Sequence, residues 1–129
     1  MRTYIASALH NHLAVAKAAE LFELHGYQVT YKWHEHGKVE DTSKLAEIGQ
    51  LEYQGVVDAD FLVMLMPARY GSHVEFGIAL ALNKPIYIVT DGHEYEEKSF
   101  YYLPLVSRYD DLQQLIGGLD NGRKHSQKA

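Results

Sequence analysis

The chain has 129 residues, 47% of them hydrophobic, no cysteine and a formal net charge of -5. That length and apolar content fit one domain with its own core, and the missing cysteines exclude a disulfide framework and a thiolate metal site. The acidic balance speaks against a nucleic acid polymer as partner, and no apolar run approaches the roughly 20 residues of a membrane span, which leaves a small molecule as the expected partner.

Met1-Arg2-Thr3-Tyr4 runs directly into an apolar strand rather than a signal peptide, so the expected compartment is the cytoplasm. Thr3 to Ala8 reads as the first strand and Leu13 to His25 as the first helix, with Val15, Ala18, Ala19 and Phe22 on one face and Gly26 closing it. Tyr27 to Trp33 reads as the second strand. His34 to Glu40 is a polar loop leading to a helix from Thr42 to Val57, for which Asp41, Thr42 and Ser43 are candidate caps. Phe61 to Leu65 is a continuous apolar run, the pattern of a central strand covered on both faces. Met66 to Gly71 is a loop, Ser72 to Asn83 a helix, and Lys84-Pro85 opens a strand from Ile86 to Val89. After an acidic loop from Asp91 to Lys98 come a short strand at Val106 to Tyr109 and a helix from Asp111 to Leu119. A single domain is thus expected over 1–120, with 121–129 as a frayed tail.

Strands alternating with helices predict an α/β fold: a flavodoxin-like, doubly wound parallel sheet of five strands in the order 2-1-3-4-5. Ligands then bind beyond the carboxyl ends of the first and third strands, where the winding reverses. Two loops fall there, Ser7-Ala8-Leu9-His10-Asn11-His12 and the segment from Met66 to Glu75. Gly71-Ser72 ahead of an apolar helix offers backbone N–H groups to a sugar oxygen, a carboxylate or a phosphate. No Walker lysine motif or G-x-G-x-x-G is present, and no cofactor is implied.

Ser72-x-x-Glu75 has the spacing of a capping box, in which Glu75 would only close the helix start. The functional reading makes it a first-turn carboxylate, held ionised by the helix dipole and facing the crevice. Arg69 and Tyr70 could meet a phosphate or a ring, and Tyr4, Tyr31, Trp33, Tyr101 and Tyr102 offer flat apolar faces for stacking. Asp60 precedes the third strand, at the end away from the crevice, and is expected to cap the strand start.

Ala59-Asp60-Phe61-Leu62-Val63-Met64-Leu65, followed by Gly71-Ser72-His73-Val74-Glu75-Phe76-Gly77-Ile78-Ala79-Leu80-Ala81-Leu82-Asn83-Lys84-Pro85-Ile86, resembles the core signature of nucleoside 2-deoxyribosyltransferases and related deoxynucleoside-monophosphate N-glycosidases. Tyr4-Ile5-Ala6-Ser7 resembles that family's first strand and substrate loop. The resemblance implies cleavage or transfer at the N-glycosidic bond of a nucleoside or nucleotide, through a covalent intermediate on Glu75. It also implies a second acid eight residues before Asp60, where this chain has Glu52 in place of the family's Asp. Two converging carboxylates would push the pKa of one upward and yield an acid beside a nucleophile, as in retaining glycosidases. The expected site is therefore catalytic Glu75 and Glu52, with Tyr4, Ser7, His10, Asn11, Trp33, Arg69, Gly71, Ser72 and His73 binding substrate. Leu9-His10-Asn11-His12 stands where monophosphate-specific relatives carry an Arg, so a 5′-phosphate is not implied. The family often completes its site from a second subunit, which makes a homodimer or higher homo-oligomer the expected assembly, with Ile78 to Leu82 as a suitable interface.

Two competing readings remain open. Glu52 in place of Asp is compatible with an inactive nucleotide-binding module of the same fold. The His-x-His pairs His10/His12 and His34/His36 could instead serve a metal-dependent hydrolase, although no metal is part of the favoured reading.

Overall fold

The computed structural model describes residues 1–128, and side chains as far as Arg123. Five parallel strands, β1 (Arg2–Ala6), β2 (Gln28–Val29), β3 (Phe61–Leu65), β4 (Ile86–Val89) and β5 (Val106–Tyr109), form one sheet in the order β2-β1-β3-β4-β5. This is the flavodoxin-like arrangement. Helices α1 (His12–Leu24) and α4 (Leu112–Lys128) cover one face, and α2 (Thr42–Asp58) and α3 (Tyr70–Ala81) cover the other. Among the described residues no helix is long and apolar enough to cross a membrane.

β3 lies at the centre because both its faces are apolar: Phe61, Leu62, Val63, Met64 and Leu65 are all buried. Each such side chain contributes roughly 1.5–3 kcal/mol on removal from water. On the α1 side Phe61 packs edge-on against Tyr27 and Tyr87, at centroid distances of 5.7 and 5.5 Å. Tyr4 of β1, beside Leu62, points the other way, toward α2 and α3. The strand alternation that fills the first face thereby carries Tyr4 beneath the site.

β3, β4 and β5 keep the expected limits, and Asp41 caps α2 by accepting the Ser43 N–H at 3.0 Å. β1 ends at Ala6 rather than Ala8, where Ser7 turns into the loop, and β2, α3 and α4 also depart from expectation. β2 is two residues long, because the chain leaves the sheet edge after Thr30, whose hydroxyl donates to the Gly55 carbonyl at 2.7 Å. Trp33 then anchors the segment over the carboxyl ends of the strands, its indole N–H donating to the Ile5 carbonyl at 2.7 Å. α3 begins at Tyr70 rather than Ser72, and α4 continues to Lys128, past the Leu119 end expected.

Lys84 fixes the far end of the α2 layer. Its ammonium donates to the Val57 carbonyl at 2.5 Å and also to that of Ala59, satisfying acceptors that the end of α2 leaves open. Gly55, three residues after Glu52, lets α2 lie on the sheet: a Cβ there would come within 2.9 Å of the Tyr4 ring.

Candidate active site

The loops after β1 and β3 are tied together at the carboxyl end of the sheet. The Ala8 N–H donates to the Pro67 carbonyl at 2.9 Å, the Ser7 hydroxyl to the Leu65 carbonyl at 2.8 Å, and the Asn11 amide to Ser7 Oγ at 2.9 Å. A cleft of about 390 Å³ opens above them, bounded by these loops, the start of α3, one face of α2 and the segment after Trp33. Ser7, Trp33, Glu52, Arg69, Gly71, Ser72 and Glu75 all line it. Seven residues of the expected site are thus brought together at the predicted end of the sheet.

Glu75 occupies the closed end of this cleft, 6% exposed, and accepts a hydrogen bond from the hydroxyl of the fully buried Tyr4. Burial is the largest influence on its carboxyl group. Hydrogen bonding to the adjacent Glu52 carboxyl and repulsion by it act in the same direction, and together these outweigh the Tyr4 hydroxyl, leaving Glu75 with a pKa pushed up to about 9. Glu75 is therefore neutral at pH 7, in contrast to the expectation that the helix dipole holds it ionised. The reason is position and burial: with α3 starting at Tyr70, Glu75 lies in the second turn, where the dipole has faded, and inside the protein. Desolvation also raises the Tyr4 pKa, so Tyr4 stays a donor.

The capping box predicted between Ser72 and Glu75 is not formed. Ser72 sits one turn into α3 and reaches back instead, accepting from the Arg69 N–H at 2.7 Å and donating to the Arg69 carbonyl at 2.9 Å. This frees Glu75 from any capping role.

Four other expected residues stand apart from the cleft lining. Tyr4 is 0% exposed and offers no face to a base; it holds Glu75 instead. His10 is exposed in the 3-10 turn Leu9–Asn11, and Asn11 is spent on the Ser7 tie. His73 turns to the opposite side of α3, where Nδ1–H donates to the Arg69 carbonyl at 2.8 Å and Nε2 accepts from the Tyr101 hydroxyl at 2.7 Å. At the other end of the sheet, Asp60 accepts the Arg2 N–H at 2.7 Å, the strand-start role expected for it. Among the described residues no group of three or more His, Asp or Glu side chains is placed to hold a metal ion.

The sequence reading missed the outer wall of the cleft. His36, Gly37, Lys38, Val39, Leu45 and Ile48 line it, from the polar loop and the first turns of α2. A signal existed in Leu45 and Ile48, apolar residues three apart and so on one face of the helix that carries Glu52. The cleft thus has an apolar side formed by Trp33, Val39, Leu45 and Ile48, two carboxyl groups at its end, and Arg69 and Lys38 at its rim. Such a cleft can take a flat ring against the apolar side and a polar, oxygen-rich group near the first turn of α3.

No protein-family model and no curated protein matches the chain. Solved structures do. A 2-deoxyribosyltransferase from Bacillus psychrosaccharolyticus superimposes with a TM-score of 0.71 at 16% identity, over 90% of this chain and 90% of its own. The chain has its fold. The CMP N-glycosidase BcmB of Clostridium botulinum superimposes with a TM-score of 0.61 at 18% identity, over 93% of this chain and 99% of its own.

Proposed function

We propose that the protein is an enzyme of the nucleoside 2-deoxyribosyltransferase-like family, cleaving or transferring the N-glycosidic bond of a nucleoside or nucleotide with Glu75 as nucleophile. The observation that carries this is the meeting of two carboxyl groups in a ring-sized cleft: the buried Glu75, held by Tyr4, and the partly exposed Glu52 facing it. The two neighbours act on such bonds by name, a CMP N-glycosidase and a 2-deoxyribosyltransferase, which supports the same chemistry here.

In the free protein Glu75 carries a proton, and the Glu52 carboxyl group beside it is the route by which that proton can leave. As a Glu75 oxygen bonds to the anomeric carbon, the bond from that carbon to the base nitrogen breaks and its electron pair stays on the base. The proton passes through Glu52 to the departing base, Glu75 becomes a glycosyl ester, and Glu52 is left as a carboxylate. Water or an acceptor base then bonds to the anomeric carbon as the bond from that carbon to Glu75 breaks, and Glu52 takes the proton of the attacking group and returns it to Glu75, releasing the free sugar or the new nucleoside. Tyr4 keeps the attacking carboxyl group in one orientation throughout. The expected setting is a cytoplasmic homodimer or higher homo-oligomer. Its contact would be the apolar outer surface of α3 around Gly77 and Ala81 with Phe100 and Leu103.

One observation favours a second reading. A neutral Glu75 locked to Tyr4 could serve only as a hydrogen-bonding group in a binding module. Incubation of the purified protein with ribo- and deoxyribonucleosides and their 5′-monophosphates, with and without an acceptor base, separates the two. Release or exchange of base that vanishes in Glu75→Ala is the result expected for the enzyme, and acceptor dependence distinguishes transferase from hydrolase. Saturable binding with no base released by folded protein would favour the binding module.

A further inference from the structure

A second cleft, of about 430 Å³, lies across the first turn of α3 from the Glu75 site, between the loop after β3 and the loop after β4. Arg69 borders both clefts. We propose that this second cleft binds a free, planar nucleobase, so that the departing or incoming base has a place of its own beside the reaction site.

The choice of ligand rests on which groups remain available. His73 and Tyr101 lie nearly parallel, 15° apart with centroids at 6.0 Å, and both His73 nitrogens are already bonded, one to the Arg69 carbonyl and one to the Tyr101 hydroxyl. The half-buried imidazole therefore offers a face rather than a polar edge. Tyr95, also half-buried, tilts against Tyr101 at 6.0 Å and adds a second flat surface. Lys98 is engaged by Glu96 at 3.1 Å. Of the charged groups lining the cleft, Arg69 and Glu94 form no ion pair among the described residues. One supplies donors and the other accepts, which matches a heterocycle carrying both carbonyl or ring-nitrogen acceptors and N–H donors on its edge. A phosphorylated ligand fits less well, since Glu94 would oppose the charge that Arg69 attracts.

That the ligand is a base rests on the glycosidic-bond reading, but the test does not require turnover. Adenine, hypoxanthine, cytosine and uracil are titrated into the Glu75→Gln protein, and the ring signals of His73 and the indole signal of Trp33, the single tryptophan, are followed by NMR. Trp33 reports on the first cleft and His73 on the second. Expected is a saturable shift of the His73 signals by at least one base, weakened about tenfold or more in Tyr95→Ala, through lost stacking, and also weakened in Glu94→Ala. Tyr95 and Glu94 lie outside the Glu75 cleft, so the folded state and the Trp33 signal are expected to persist in both variants. Saturable shifts at Trp33 alone, or His73 shifts unchanged by both substitutions, would overturn the second site. So would the absence of saturable binding by every base. Base release by the unsubstituted enzyme without His73 binding would overturn this inference and leave the catalytic reading standing, whereas His73 binding without base release would do the reverse.

Discussion

At the amino end of the sheet Asp60 accepts a backbone N–H at 2.7 Å and remains exposed, whereas at the carboxyl end Glu75 accepts the Tyr4 hydroxyl and is almost wholly buried. Each carboxyl group has a good donor, and that of Glu75 is nonetheless driven to a pKa of about 9 by burial and its second carboxyl neighbour. One hydrogen bond therefore does not secure the charge of a buried acid. Desolvation and a second carboxyl group outweigh it. The amino end uses its acid to fasten a strand, and the carboxyl end holds a proton ready inside a cleft.

Substitutions at the two ends sharpen this contrast. The largest effect belongs to Glu75: Glu75→Gln is expected to lower the rate of base release by about 10³-fold or more while the protein remains folded, as measured by chromatography of the freed base. Glu52→Gln is expected to cost about 10²-fold, through loss of the proton relay. Because it removes one of the causes that raise the Glu75 pKa, it also moves the alkaline fall of kcat/KM from near pH 9 to lower pH, though not to the ordinary carboxylate range, since burial persists. A pH–rate profile of the two proteins checks this. Tyr4→Phe removes the donor that lowers the Glu75 pKa, so roughly a tenfold loss of rate is expected, together with a shift of that limb to higher pH. At the amino end Asp60→Ala is expected to cost only about 1 kcal/mol in urea unfolding and to leave kcat unchanged.

The same contrast governs stability. Below about pH 4.5 folded and unfolded chains both carry the Glu75 proton, and between about 4.5 and 9 only the folded chain holds it. Stability contributed by the neutral group therefore falls as pH rises, by about 1.4 kcal/mol per pH unit for one proton, and levels off above the folded pKa. Glu75→Gln has no such proton, so its stability relative to the unsubstituted protein is expected to rise across that window in parallel denaturant titrations.

The fold was legible because its signals are local and strong: the apolar run of β3, the α1 face of Val15, Ala18, Ala19 and Phe22, and Gly26 with its φ of +87°. The meeting of Glu75 and Glu52 was legible through a family resemblance and the winding rule. What escaped the sequence was set by contacts between distant segments. Nothing local shows that the Tyr4 hydroxyl would lie against Glu75, that Ser72 would turn back to Arg69, or that Trp33 would leave the sheet edge for the Ile5 carbonyl. Gly55 reads as a helix-weakening residue in isolation and makes sense only with the Tyr4 ring against it.

In the proposed reaction Glu75 forms a bond to sugar. That step is tested most directly by mixing enzyme with an active nucleoside or nucleotide, quenching in acid within the first turnovers, and locating any added mass by peptide mapping. One sugar unit is expected on the peptide containing Glu75 and none in Glu75→Gln. Rapid base release with no adduct at Glu75, sustained in Glu75→Gln, would contradict it.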